Sequence, residues 1–311
     1  MPVLSIVACR MLEDELVHLL SVDGEVRELL LVDGRESLSL SAKLRAQNRP
    51  HLLLGPDKIA PHLQERQSRP GGIFSRRNGH SKAAELAVVL SPLRLGLHTD
   101  LEQLKAAVYD NIRSLAAFSD GILVFYGKCG NALADLEHDL SDLACPLYFL
   151  ADARGEGIDD CIALALGGNE NYDRTLAEHQ DVALFMTPMW ASNWKAMGQE
   201  DAASGKRPDL RAMLEGTGMT KVARIDTGLC FEPAFEEKVD AFAREFGLQR
   251  IELPGGTAVA EGCYERAKSC LLAARPESAR PGARIRSRNS NELLEPILAI
   301  CRMTRKKILK D

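Results

Sequence analysis

The stretch Gly121-Ile122-Leu123-Val124-Phe125-Tyr126-Gly127-Lys128-Cys129-Gly130-Asn131-Ala132-Leu133 changes character halfway along. Its first half is apolar, β-branched and aromatic, the pattern of a strand covered on both faces. Its second half is a glycine-flanked turn with a cysteine at the centre. Gly127 and Gly130 let the backbone turn sharply and leave space beside the thiol. A buried strand over Ile122–Tyr126 is therefore expected to end by presenting Cys129 in a tight turn.

The same alternation repeats outward from this point. Strands are expected at Leu4–Ala8, Val26–Val32, Leu86–Leu90, Leu147–Leu150, Val182–Met186, Lys221–Asp226 and Arg250–Leu253. Helical patterns separate most of them, at Leu12–Leu20, from His98-Thr99-Asp100 to about Ala116 with Thr99 or Asp100 as the N-cap, and at Ala132–Leu140, Asp160–Leu166 and Asn169–Glu178. They continue at Trp190–Met197, Pro208–Leu214, Pro233–Phe246 and Ala258–Ala273. Short apolar strands alternating with helices predict an α/β fold, a mostly parallel sheet with helices on both faces, and room for two lobes.

Two regions interrupt the body expected over residues 1–273. Residues 35–82 are polar and broken at Asn48-Arg49-Pro50, Gly55-Pro56, Arg69-Pro70-Gly71-Gly72 and Arg76-Arg77-Asn78-Gly79. They read as an insertion or irregular region with one helix at Asp57–Gln67. Residues 274–311 read as a basic arm, a linker followed by one helix from Asn291 to about Lys306. Arg284, Arg286, Arg288, Lys306, Lys307 and Lys310 lack interleaved aromatics, so nucleic acid is not the expected partner. A solvated arm that packs on the body, or on a neighbouring subunit of a homo-oligomer, is the plainer expectation.

The 311 residues are 45% hydrophobic and 27% charged, ample for a sizeable core, and the net charge of −5 excludes a globally basic surface. No apolar run is long enough to span a membrane. Met1-Pro2-Val3-Leu4 leads straight into a strand-like run with no basic n-region and no small-residue cleavage site, so a cytoplasmic location is expected.

Eight cysteines stand at 9, 129, 145, 161, 230, 263, 270 and 301, and no C-x-x-C pair occurs. In a reducing compartment these are thiols rather than a disulfide framework, and a cysteine site must be assembled from distant segments. Cys9, Cys129, Cys161 and Cys230 each follow the carboxyl end of an expected strand, the edge where open α/β sheets carry their functional crevice. Cys145, Cys263, Cys270 and Cys301 read as packing. Asp159-Asp160-Cys161-Ile162 is expected to open a short helix with an aspartate N-cap and a glycine C-cap at Gly167-Gly168, with Cys161 in its first turn, where the helix dipole favours thiolate while the adjacent carboxylates oppose it. His98 stands at the same rim as a ligand or general acid/base. In Thr187-Pro188-Met189-Trp190, Thr187 is placed to hydrogen-bond a ligand and Trp190 to wall a pocket.

Several segments resemble one family in order: Ser5 to Leu16 (SIVACRMLEDEL), Gly96-Leu97-His98, Tyr126-Gly127-Lys128-Cys129-Gly130-Asn131, Asp160 to Gly167 (DCIALALG), and Thr187-Pro188-Met189-Trp190. They are similar to an uncharacterised domain family of methanogenic archaea and many bacteria. Its genes are often located beside corrinoid-dependent methyltransferases, corrinoid proteins and corrinoid reactivases of methylamine or methylated-compound metabolism. The resemblance covers roughly Val3 to Met197. Where the family carries a basic residue and a histidine before the Asp-Cys pair, this chain has Gly157-Ile158-Asp159.

The resemblance implies a role in corrinoid-linked one-carbon metabolism, and three forms of it are expected. The first is a metal- or corrinoid-related site built from Cys129 and Cys161 with Cys9, Cys230 or His98. Thiolates and imidazole suit zinc, iron or cobalt, and Asp160, Thr187, Trp190, Gly127 and Gly130 would meet the substrate. The second is a metal-free thiol enzyme with Cys129 or Cys161 as nucleophile and His98 as base. The third is a non-catalytic partner of a methyltransferase or corrinoid protein, docked through the basic arm. No G-x-x-x-x-G-K-[ST] loop, no G-x-G-x-x-G after the first strand and no G-x-S-x-G elbow is present.

Overall fold

The computed structural model describes residues 1–68, 85–97, 100–203, 214, 217–229 and 231–273. The expected helix at 208–214, apart from residue 214, and the basic arm 274–311 lie outside the described residues.

The first half of the chain builds a six-stranded sheet in which every pairing is parallel. Its strands are β1 (Val3–Ala8), β2 (Val26–Val32), β3 (Leu52–Leu54), β4 (Leu86–Pro92), β5 (Gly121–Phe125) and β6 (Leu147–Phe149), in the order β3-β2-β4-β1-β5-β6. Alternation sorts the side chains. Leu4, Ile6 and Ala8 of β1 join Val88 and Leu90 of β4 on one face, while Val3 and Val7 join Ala87 and Val89 on the other. The first face is covered by α1 (Glu13–Val22) and α2 (Leu38–Ala46), the second by α3 (Pro56–Ser68) and α4 (Leu101–Ala116). α4 buries Leu104, Val108, Ile112 and Leu115, a 3.6-residue repeat, and Asp100 caps it by accepting from the Gln103 amide at 3.1 Å.

The chain passes through α5 (Leu136–Asp139) before β6 and, after that strand, through α6 (Cys161–Ala165) and α7 (Asn169–Glu178) into a second sheet. β7 (Val182–Met186), β8 (Lys221–Asp226) and β9 (Gln249–Pro254) are again all parallel. α8 (Pro188–Ala203) and α9 (Phe235–Phe246) cover one face through Trp194, Phe242 and Phe246. The other face, with Phe185, Ala223 and Ile225, shares a continuous core with Leu4 and Ile6 of the first sheet, joined by α10 (Ala258–Ala273). The α/β class and the two-lobed arrangement are thus observed.

Residues 35–68 correct the expectation of an irregular insertion. Besides α3, they carry α2 and the edge strand β3, which pairs with β2 at Leu30–Leu52 through Val32–Leu54. β3 has only three residues, and α2 turns Lys43 inward beside Leu40 and Leu44. Neither gives a periodic apolar signal. The expected helix over 132–140 shrinks to α5, because Cys129, Gly130 and Asn131 all take left-handed backbone angles and the chain leaves them in turns.

Candidate functional site

The chain leaves β1 toward one side of the sheet to make β2, β3 and β4, and toward the other to make β5 and β6. The carboxyl ends of β4, β1 and β5 therefore meet at the point where winding reverses, the place such sheets leave a crevice. A cavity of about 300 Å³ opens there. It is lined from the first sheet by Cys9, Arg10, Tyr126, Gly127 and Cys129, from α6 and α7 by Asp160, Cys161 and Tyr172, and from the second lobe by Phe185 and Trp190.

Each thiol is held by backbone. The Cys9 amide donates to the Phe125 carbonyl at 3.1 Å, tying the end of β1 to β5. Beyond β5, the amides of Lys128 and Cys129 donate to the carbonyls of Ile158 and Asp159, both at 2.8 Å. Gly127 makes this approach possible: a Cβ there would stand 2.6 Å from Asp160 Cα. Cys129 then enters the left-handed region at φ 45°, followed by Gly130 at 65° and Asn131 at 66°. Two non-glycine residues in that region store strain that the surrounding contacts must offset, as is common where function demands a particular side-chain direction.

The segment facing this turn is equally braced. Asn169 accepts from the Asp159 amide at 2.9 Å and donates to the Gly157 carbonyl at 3.0 Å. Lys128 pairs with Asp159 at 2.6 Å. Asp160 Oδ1 accepts from the amides of Ile162 and Ala163, both at 2.8 Å, and so starts α6 as expected. Its Oδ2 is buried.

Burial sets the chemistry of these groups. It pushes the Cys9 thiol up to about 12, and Cys129 and Cys161 well above the ordinary thiol range, with the carboxylate of Asp160 adding to the rise at both. Cys161 also feels Cys9 and Cys129, and Cys129 feels Cys9, so the three lie within electrostatic reach of one another. The opposing influences expected at Cys161 thus resolve in favour of the neutral thiol. Burial also raises the Asp160 carboxyl to about 6, against the pull of the Ala163 and Ile162 amides and of the Tyr172 hydroxyl.

Of the residues expected at a site, Cys9, Cys129, Cys161, Asp160, Gly127 and Trp190 all line this cavity. Gly130 and Thr187 do not. Gly130 serves the turn, and the Thr187 side chain is buried beneath the start of α8, where its carbonyl accepts from the Ala191 amide at 3.0 Å. His98 and Cys230 lie outside the described residues. Cys145 and Cys263 pack in the two cores and Cys270 is exposed. Tyr172 and Phe185 were not anticipated. They meet edge to face, ring centroids 6.2 Å apart, and only the docking of the second lobe brings Phe185 to the thiols. Among the described residues, no group of three His, Cys, Asp or Glu side chains is placed to hold a metal ion, and no helix is long and apolar enough to cross a membrane.

Residues 92–264 match the family described as Protein of unknown function (DUF1638), and the chain belongs to that family. The match takes in the segments at 96–98, 126–131, 160–167 and 187–190, extends past Met197 into α10, and leaves Ser5–Leu16 outside. No curated protein and no solved structure matches the chain.

Proposed function

We propose that the crevice holds a small, largely apolar ligand against three thiols, and that the protein serves corrinoid-linked one-carbon (methyl-transfer) metabolism. The observation that carries the first part is the convergence of Cys9, Cys129 and Cys161, from three separate segments, on one cavity at the winding reversal. What supports the second part is the resemblance of the segments around Cys9, Cys129 and Cys161 to the family described above.

Neutral buried thiols are poor nucleophiles, since the thiolate is the reactive form. That weighs against a metal-free thiol enzyme. A soft centre in contact with the cluster changes the balance, because a coordinating thiol is deprotonated. Zinc, iron or the cobalt of a corrinoid suits sulfur donors. The described donors do not hold a bare ion by themselves, so the centre is proposed to arrive with the ligand or on a corrinoid-protein or methyltransferase partner. A corrin macrocycle is larger than a 300 Å³ cavity, which favours a cobalt cofactor borne by the partner and offered at the mouth.

Native mass spectrometry and metal analysis of protein purified without oxygen or a metal-affinity tag test this, together with Cys129→Ser and Cys161→Ser. The expected result is a bound small molecule or ion, retained or restored on adding zinc, ferrous iron or aquocobalamin, and lost in both variants. A wild-type protein that stays at the mass of the bare chain through all three additions would overturn the reading.

A further inference from the structure

We infer that the ligand of this crevice is a small amphipathic carboxylate, its apolar tail turned in toward the thiols and its carboxylate held at the mouth by Arg94 and His179. The inference rests on the reading of the crevice as a small-molecule site and is independent of the corrinoid link.

Two observations carry it. The first is where charge falls on the lining. Arg94 and Gln180 are the exposed residues of the described lining, and the half-buried His179 adjoins Gln180 in the chain, so a polar mouth is marked out by these three. Asp160 is the one acid on the described lining, and it is committed: it is 1% exposed and accepts from the amides of Ile162 and Ala163 and from the Tyr172 hydroxyl. Arg10 is paired with Glu36 at 2.8 Å. In a chain of net charge −5, the mouth thus offers a guanidinium and an imidazole. A guanidinium carries five N–H donors in a fork that matches a carboxylate, so the bond from Arg94 to Gln103 at 3.3 Å is one of several it can make at once. An imidazole offers an N–H in either protonation state.

The second observation is the apolar interior. Behind the mouth, the cavity of about 300 Å³ is walled by Leu97, Tyr126, Ile162, Leu184 and Phe185, all buried. A strongly polar group would lose its water there without gaining a partner, whereas each methylene placed there leaves water favourably. The head is a carboxylate rather than a phosphate. α7 ends at this mouth, with His179 as its C-cap, and the carbonyl end of a helix repels concentrated negative charge. Phosphate sites use the amide end of a helix instead. A single negative charge, spread over a planar group that the Arg94 fork can grip, fits both neighbours.

Isothermal titration of the full-length protein with butanoate, hexanoate and the uncharged hexanamide tests the inference. Hexanoate is expected to bind at least about tenfold more tightly than hexanamide, and more tightly than butanoate by about fourfold per added methylene. Arg94 is exposed, so Arg94→Gln is expected to leave the fold intact. It is expected to erase the preference for hexanoate over hexanamide without changing hexanamide, and His179→Gln to reduce that preference. Equal binding of hexanoate and hexanamide to wild type would overturn the carboxylate and leave the small-molecule crevice standing. Binding of neither, in a protein that carries a different small molecule by native mass spectrometry, would do the same. Binding of neither, in a protein that stays at the mass of the bare chain, would overturn the inference together with the reading beneath it. A preference that survives both Arg94→Gln and His179→Gln would overturn the placing of the head at this mouth. Equal affinity for butanoate and hexanoate would overturn the inward tail.

Discussion

The backbone of Gly127 lies directly against that of Asp160: a Cβ at 127 would stand 2.6 Å from Asp160 Cα and 2.7 Å from its nitrogen. The glycine that ends the thiol-bearing strand is thus the surface on which the second thiol-bearing segment rests. Gly255 does the corresponding work at the far end of α6, where a Cβ would meet the Ala165 carbonyl oxygen at 2.6 Å. The five-residue helix that begins with Cys161 is held between a glycine of each lobe.

Gly127→Ala is therefore expected to cost more than about 3 kcal/mol, because the obstacle is backbone rather than a side chain that can swing away. Gly130→Ala makes a useful contrast. Its neighbours leave room, the nearest being Leu101 Cδ1 at 3.4 Å, so only the left-handed φ is penalised, at about 1 kcal/mol. Denaturant unfolding of both variants checks the order. Equal costs would show that the packing of 127 on 160 is softer than this geometry.

Thiol reactivity should follow burial. Cys270 is exposed, whereas Cys129 is buried and Cys9 and Cys161 are half-buried, and desolvation holds these three neutral. Iodoacetamide at pH 8 followed by peptide mapping is expected to label Cys270 well before those three. Early labelling of Cys161 would mean that its helix position outweighs burial.

Lys43 sits between the lobes with its ammonium 3.0 Å from Glu13, 2.6 Å from Asp14 and 2.7 Å from Glu232. The three carboxylates keep it charged despite burial. Lys43→Met keeps the volume and removes the charge, leaving buried acids unpaired. A loss of about 3–5 kcal/mol is expected. Glu232 follows β8, and α8 and α9 add Ser192 and Lys238 to the same group. The variant should consequently loosen the second lobe first, which hydrogen exchange along β7 and β8 would reveal.

Glu15 gives a pH dependence of definite sign. Burial raises its carboxyl from 4.5 to about 7. Between these values the unfolded chain has lost the proton and the folded chain retains it. Stability from this group is therefore full below pH 4.5, falls as pH rises to about 7, and is level beyond. Glu15→Gln is expected to flatten that slope and raise stability at pH 8 by about 3 kcal/mol. An unchanged pH profile in Glu15→Gln would assign the slope to other groups.

Much of the fold was legible because burial on both faces leaves an unmistakable run. β1, β2, β5, β7 and β8 lie within a residue of where apolar sequence places them. β3 escaped because three residues carry no period, and α2 because its inward face mixes leucine with Lys43. Cys9, Cys129 and Cys161 could be assigned to one edge from strand ends alone. Thr187 follows a strand in the same way, yet its side chain is buried away from the cavity, since a strand end does not specify which way the next residue points.

The sequence by itself determined the class of fold, the order of its elements and the edge at which its cysteines emerge, because these follow from local periodicity and from the parallel direction of every strand. Only the tertiary structure decided that the strands divide into sheets of six and three. It alone decided that Phe185 lines the same cavity as thiols more than fifty residues upstream in Cys129 and further still in Cys9. It alone decided that Asp160 is buried without an ion pair among the described residues. Charge balance and cavity shape depend on which distant surfaces meet, and no local pattern encodes that.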